Sequence, residues 1–156
     1  MGCMSFTLSY IFFSVVHIVG FALALTVCGL YGKDLSRANE QDKYADSKWV
    51  YAVVVGGISA VTCVLYLVPF ILRIAGIFAP VWDFILFILW IAVFGVFGRM
   101  YINEDAEGDG NIERMKNAVW VDLANALLWL LASLGAFLYW WKHRDTRSQF
   151  TGRAHV

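Results

Sequence analysis

Four long apolar stretches, nearly free of charge, decide what this chain can fold into. Residues 6–30 and 49–72 contain no Asp, Glu, Lys or Arg; residues 81–98 contain only Asp83 and residues 118–141 only Asp122. A bilayer's hydrocarbon core is about 30 Å thick, and a helix needs roughly 20 apolar residues to cross it. Each run far exceeds the length of a membrane β-strand, and a strand edge in lipid would leave backbone groups unpaired. The reading is therefore all-α: an integral membrane four-helix bundle. Its spans lie at about 6–30, 49–72, 81–102 and 118–141. An even number of crossings gives an M-shaped topology with both termini on one side. The whole chain, 1–156, reads as one membrane domain with a polar C-terminal tail at 142–156.

Composition closes off other classes. Hydrophobic residues are 60% of the chain, against roughly 45–50% in soluble domains. A water-soluble globule of this size cannot hide so much apolar surface. Twelve basic and twelve acidic residues cancel, with no basic stripe, so nucleic acid is not an expected partner. The partners expected are membrane lipids, further copies of the chain or other membrane proteins.

The first span differs from a signal peptide: it lacks a basic leading segment, and its apolar run is too long. It is expected to be a retained anchor. The Met-Gly start lacks the Ser or Thr at position 6 that myristoylation favours, since Phe6 stands there. Cys3 is a candidate for palmitoylation if the N-terminus is cytosolic, the alternative being an unmodified thiol. Cys3, Cys28 and Cys63 all lie outside the hydrophilic loops. A loop disulfide is thus excluded, which argues against claudin-like and tetraspanin-like proteins. His17, His143 and His155 are scattered and form no metal-ligand spacing. No phosphate-binding Gly-rich motif or nucleophile elbow occurs, so no catalytic residue, cofactor or metal site is expected.

Basic residues orient the spans only weakly. The terminal side carries Arg73, Lys142, Arg144, Arg147 and Arg153 against Asp145; the other side carries seven Lys/Arg among nine acids. The bare count of basic residues favours the loop side as cytoplasmic. The cluster after the last span suits an anionic cytoplasmic leaflet instead.

Helix association in lipid depends on small residues that let backbones approach. The first span places Gly20, Ala24, Cys28 and Gly32 at four-residue steps. The second has Gly56, Gly57 and Ala60; the third Ala92, Gly95 and Gly98; the fourth Ala132 and Ala136. These stripes read as packing seams within the bundle, and as self-association surfaces where they face outward. Asp83 precedes Trp90 by seven residues, as Asp122 precedes Trp129, so each acid shares a helix face with its tryptophan.

A buried acid requires partners. By side of the membrane, Asp122 is expected to pair with Arg99, and Asp83 with Arg73 or Lys142. His17 lies deep in the first span. The plain reading is a neutral imidazole bonded to a neighbouring helix, with Asn125 as a partner type; the alternative is a proton-relay group. Trp49, Tyr51, Trp82, Tyr101, Trp120, Tyr139, Trp140 and Trp141 sit at span boundaries as an aromatic belt. Pro69 is expected to kink or end the second span, and Pro80 suits the first turn of the third. The acidic run from Glu104 to Gly110 lacks the spacing of a calcium loop and reads as a solvated turn.

Three segments carry a family resemblance. They are Tyr44-Ala45-Asp46-Ser47-Lys48-Trp49-Val50-Tyr51-Ala52, Trp82-Asp83-Phe84-Ile85-Leu86-Phe87-Ile88-Leu89-Trp90 with Phe94-Gly95-Val96-Phe97-Gly98, and Asp122-Leu123-Ala124-Asn125-Ala126-Leu127-Leu128-Trp129. Together the chain resembles the fungal MARVEL-domain membrane proteins over about residues 6–141. The resemblance implies four helices in an M with both termini cytoplasmic, in the plasma membrane or an endomembrane. It also implies a role in membrane organisation or vesicle trafficking, without a common enzymatic activity. Two other function classes stay open. One is a small proton-coupled transporter or channel using His17, Asp83 or Asp122. The other is a membrane glutathione-transferase-like enzyme, to whose Arg and Glu the segment Arg37-Ala38-Asn39-Glu40 has a superficial likeness.

Overall fold

The computed structural model describes residues 2–40, 47–68, 71, 74–105, 107–108 and 110–151; side chains are described between 9 and 142 within those ranges, save residue 38. Four helices account for nearly all of it: α1 (Gly2–Glu40), α2 (Ser47–Tyr66), α3 (Phe78–Tyr101) and α4 (Gly110–Thr151). Each contains a segment long and apolar enough to cross a membrane. The chain is all-α, an integral membrane four-helix bundle.

Cross-helix contacts fix the directions. Along α1, Phe13 meets Gly135, Gly20 meets Leu128, Tyr31 bonds Asp122 and Asp34 bonds Arg114, so α1 and α4 run antiparallel. Gly20 against Cys63 and Cys28 against Gly56 make α1 and α2 antiparallel. Trp90 to Ser59 and Trp82 to Thr62 do the same for α2 and α3, and Ser133 to Pro80 with Gly98 near Val119 for α3 and α4. Each helix packs along its two neighbours in a closed ring, and across the middle Tyr31 of α1 stacks on Phe97 of α3. Up-down-up-down order brings both chain ends to the same end of the bundle, which is called the terminal end below.

A seven-residue step runs through every inner face. His17, Ala24 and Tyr31 are buried on α1; Ala52, Ser59 and Tyr66 on α2; Asp83, Trp90 and Phe97 on α3; Met115, Asp122, Trp129 and Ala136 on α4. A seven-residue repeat keeps one seam facing the partners of a left-handed bundle. The opposite faces are apolar and exposed: Val61 on α2, Phe84 and Ile88 on α3, and Leu131 and Leu138 on α4. The interior is mostly apolar too, with Trp90, Trp129, Phe97 and Leu86 fully buried beside a few polar groups, so apolar side chains on the outside as well suit lipid as solvent.

Two helices outrun the expected spans. α1 has 39 residues and α4 has 42, about 58 Å and about 63 Å at 1.5 Å per residue. The expected loop at 31–48 is helical to Glu40, and the backbone of the expected polar tail is helical to Thr151. Lys33, Asp34 and Arg37 end the apolar run but leave helix propensity largely intact, and Asp34 and Arg37 tie the extension down. Arg114 pairs with Asp34 at 2.5 Å, and Arg37 Nη1 donates to Asn111 Oδ1 at 3.1 Å. The turn into α4 places Glu107 and Gly108 at φ of 36° and 87°, and Gly76 (φ 53°) turns the chain into α3. Glycine takes that left-handed conformation at no steric cost.

Candidate functional site

The bundle's inner seam gathers the polar residues that lipid would reject. His17, Asp83, Asp122 and Asn125 are each at most 1% exposed. At the loop end, Tyr31 donates its hydroxyl to Asp122 Oδ2 at 2.6 Å. Tyr31 also stacks on Phe97 with ring centroids 4.5 Å apart, and Trp49 packs edge-on against both rings. One residue from each helix thus closes this end around Asp122.

A second cluster lies toward the terminal end, again drawing on all four helices. The His17 imidazole sits edge-on to Tyr66 at 5.0 Å and to Trp129 at 6.0 Å. Tyr66 lies next to Asp83, while both Asp83 oxygens stay without a hydrogen-bond partner among the described residues. Between the clusters, Trp90 Nε1 donates to Ser59 Oγ at 2.9 Å. The two acids therefore share more than their spacing to a tryptophan. Each lies against a tyrosine from the C-terminal half of another helix, at opposite ends of the seam.

Several expected pairings are replaced. Arg99 is exposed, whereas Asp122 is fully buried and takes its hydrogen bond from Tyr31. An arginine head can reach water from there, so burial beside Asp122 would cost desolvation that a neutral phenol avoids. His17 bonds within its own helix, Nδ1 to the Phe13 carbonyl at 2.6 Å, and not to Asn125. Asn125 likewise donates to its own helix, at the Val121 carbonyl, at 3.1 Å. Lys142 is exposed, and Arg73, Pro69 and the Cys3 side chain lie outside the described residues.

The small residues divide. A Cβ on Gly56 would sit 2.7 Å from Cys28 Sγ and 3.3 Å from the Ala24 carbonyl oxygen. One on Gly20 would sit 3.0 Å from Leu128 and 3.3 Å from Cys63 Sγ. Ala24, Gly98, Ala132 and Ala136 are buried at seams as well. Gly57 and Gly95 do not pack against another helix of the same bundle: among the described residues a Cβ at either meets nothing within 4 Å. The boundary aromatics also divide. Trp120 and Trp141 face outward, Trp49 turns into the lid over Asp122, and Trp82 Nε1 donates to Thr62 Oγ1 at 3.2 Å.

Contact between α2 and α3 is the sparsest of the four seams. A lateral hollow of about 430 Å³ opens there, with Gly57, Val61, Leu65 and Trp82 in its wall. A neighbouring one of about 370 Å³ shares Tyr66 and Trp82. Both are apolar and face sideways. Among the described residues, no group of three His, Cys, Asp or Glu side chains is placed to hold a metal ion.

The residues that sequence reasoning passed over are Tyr31, Ser59 and Tyr66. Tyr31 stood just beyond the expected first span, and the seven-residue step from His17 through Ala24 was the signal that reaches it. No family model, no curated protein and no solved structure matches this chain.

Proposed function

We propose that this chain is a non-enzymatic membrane-organising protein, associated with trafficking, that acts through helix contacts and lipids. The observation that carries this reading is the open α2–α3 seam, an apolar lateral hollow on an otherwise apolar outer surface. Lipid tails give little hydrophobic drive between helices, so shape decides which neighbour stays. Gly57, which packs against nothing in its own bundle, lines that hollow. The resemblance of phrases in spans two to four to MARVEL-domain proteins would imply such a role, with both termini cytoplasmic at the plasma membrane or an endomembrane.

The test is the stoichiometry of the full chain in native-lipid nanodiscs, read by single-molecule photobleaching. Complexes of two or more copies that survive dilution are expected, and Gly57→Leu, which fills the hollow, should reduce them. A strictly monomeric wild type spread evenly across lipid compositions contradicts the proposal. The enzyme alternative has its own check. Arg37 is already engaged with Asn111, and calorimetry with glutathione should give no binding heat; saturable binding would favour the enzyme.

A further inference from the structure

The unpaired polar atoms of the bundle interior form a set with one chemical bias. Among the described residues, eight buried side-chain polar atoms lack a hydrogen-bond partner. Two, Asp34 Oδ2 and Arg114 Nε, belong to the ion pair at the loop end. The other six all lie in the inner seam: His17 Nε2, both Asp83 oxygens, Asp122 Oδ1, Asn125 Oδ1 and Trp129 Nε1.

Their donor and acceptor roles follow from the bonds already made. A carbonyl only accepts, so His17 Nδ1 donates to Phe13 and the neutral ring leaves Nε2 as a bare acceptor. Asn125 uses its amide N–H₂ on Val121, which leaves its Oδ1 as an acceptor. Asp122 accepts from Tyr31 on Oδ2 and keeps Oδ1 open. Asp83 has two open oxygens. Five acceptors thus share the seam with few donors: the Trp129 N–H, and the Tyr66 hydroxyl and Cys63 thiol beside Asp83. The interior is short of hydrogens, and three of the four acceptor residues bind protons covalently. A metal ion is a poor way to meet that shortage, because no three ligands converge among the described residues.

These groups also form a column along the bundle. From the level of His17 to that of Tyr31 is fourteen residues of α1, about 21 Å of the roughly 30 Å hydrocarbon core. Tyr66 and Cys63 from α2 face Asp83 at the terminal end, and Tyr31 from α1 faces Asp122 at the other. Intramembrane acids and histidines facing a bundle interior mark substrate and ion pathways, proton relays among them.

We propose that this column takes up protons and passes them across the membrane. A proton taken from water at one face is bound in turn by one carboxylate, by His17 Nε2 and by the other carboxylate, with water as carrier between them. It is released at the opposite face, and every group returns to its starting state. One proton crosses per cycle, and a counter-ion current balances its charge. This activity is independent of the outer surface on which the membrane-organising role rests.

The experiment uses full-length protein in liposomes that enclose a pH-sensitive dye, with a potassium gradient and valinomycin to supply the counter-current. Wild-type vesicles should acidify or alkalinise faster than protein-free vesicles. Asp83→Asn, Asp122→Asn and His17→Gln should each bring the rate down to the protein-free level at matched insertion and helicity. Phe84→Leu, on the outer face, should keep the wild-type rate. Dicyclohexylcarbodiimide, which attacks protonated carboxyl groups in apolar surroundings, tests the unmutated chain: it should stop the flux and label Asp83 or Asp122. A wild-type rate equal to that of empty vesicles overturns the proposal. So does flux that persists in the three variants or after both acids are labelled.

Discussion

Gly56 has no room for a side chain, and its neighbour Gly57 has room for a large one. Gly56→Ala would press a methyl group 2.7 Å from Cys28 Sγ and against the Ala24 backbone, and overpacking of this kind costs about 1–3 kcal/mol. Gly57→Ala meets nothing and exchanges glycine for a better helix former, worth up to about 1 kcal/mol. Thermal unfolding in detergent, followed by tryptophan fluorescence, should therefore lower the midpoint for the first and hold or raise it for the second. Asp122 gives a second contrast. Tyr31→Phe removes the hydroxyl that bonds a fully buried carboxylate, a loss of about 1–3 kcal/mol. Arg99→Ala removes an exposed side chain and should stay within roughly 0.5 kcal/mol. Equal effects at Tyr31 and Arg99 would show that the acid is held in some other way.

Between elements, hydrogen bonds stand where contact is sparse. The α2–α3 seam is the most open, and the N–H groups of Trp90 and Trp82 cross it to Ser59 and Thr62. Ser59→Ala should leave the Trp90 N–H unpaired and cost about 0.6–1.7 kcal/mol, the range found for bonds between membrane helices. A midpoint equal to wild type would mean that this bond does not hold the seam. At the loop end, Asp34 and Arg114 are 18% and 20% exposed, so their coupling in a double-mutant cycle should reach only about 0.2–1 kcal/mol and weaken with salt.

The four spans were legible because each is an apolar run of membrane length, and the all-α ring follows from their number. Helix ends were less so, because hydropathy stops at Lys33 while the hydrogen-bonded backbone continues to Glu40. The seam was half legible. The seven-residue step from Asp83 to Trp90 and from Asp122 to Trp129 marked the inner faces of α3 and α4. Its counterparts, His17–Ala24–Tyr31 and Ala52–Ser59–Tyr66, hold few charges and passed unnoticed. Periodicity gives the face a residue shares, not the helix opposite. Charge sign therefore suggested Arg99 for Asp122, where burial selects a phenol.

At the scale of the whole molecule, the bundle is apolar outside as well as within, and a few polar groups are held in its interior. Asp83, Asp122, His17 and Asn125 face the interior among Trp90, Trp129 and Phe97, and leucine, valine and phenylalanine also cover the outside. The outer surface and the inner column are separable, so self-association and proton flux should respond to different substitutions. Gly57→Leu should alter the first and Asp83→Asn the second. The arrangement itself is tested most directly by accessibility of spin labels in a lipid bilayer. Single cysteines at Val61, Ile85, Leu138 and Glu104, placed on a chain lacking its native cysteines, would carry them. All four side chains are exposed. Labels at 61, 85 and 138 should relax with lipid-dissolved oxygen and be shielded from a water-soluble nickel chelate, while the label at 104 behaves in the opposite way. Ready access of the nickel chelate to positions 61, 85 and 138 would contradict a bundle whose apolar faces lie in lipid and whose polar seam lies within.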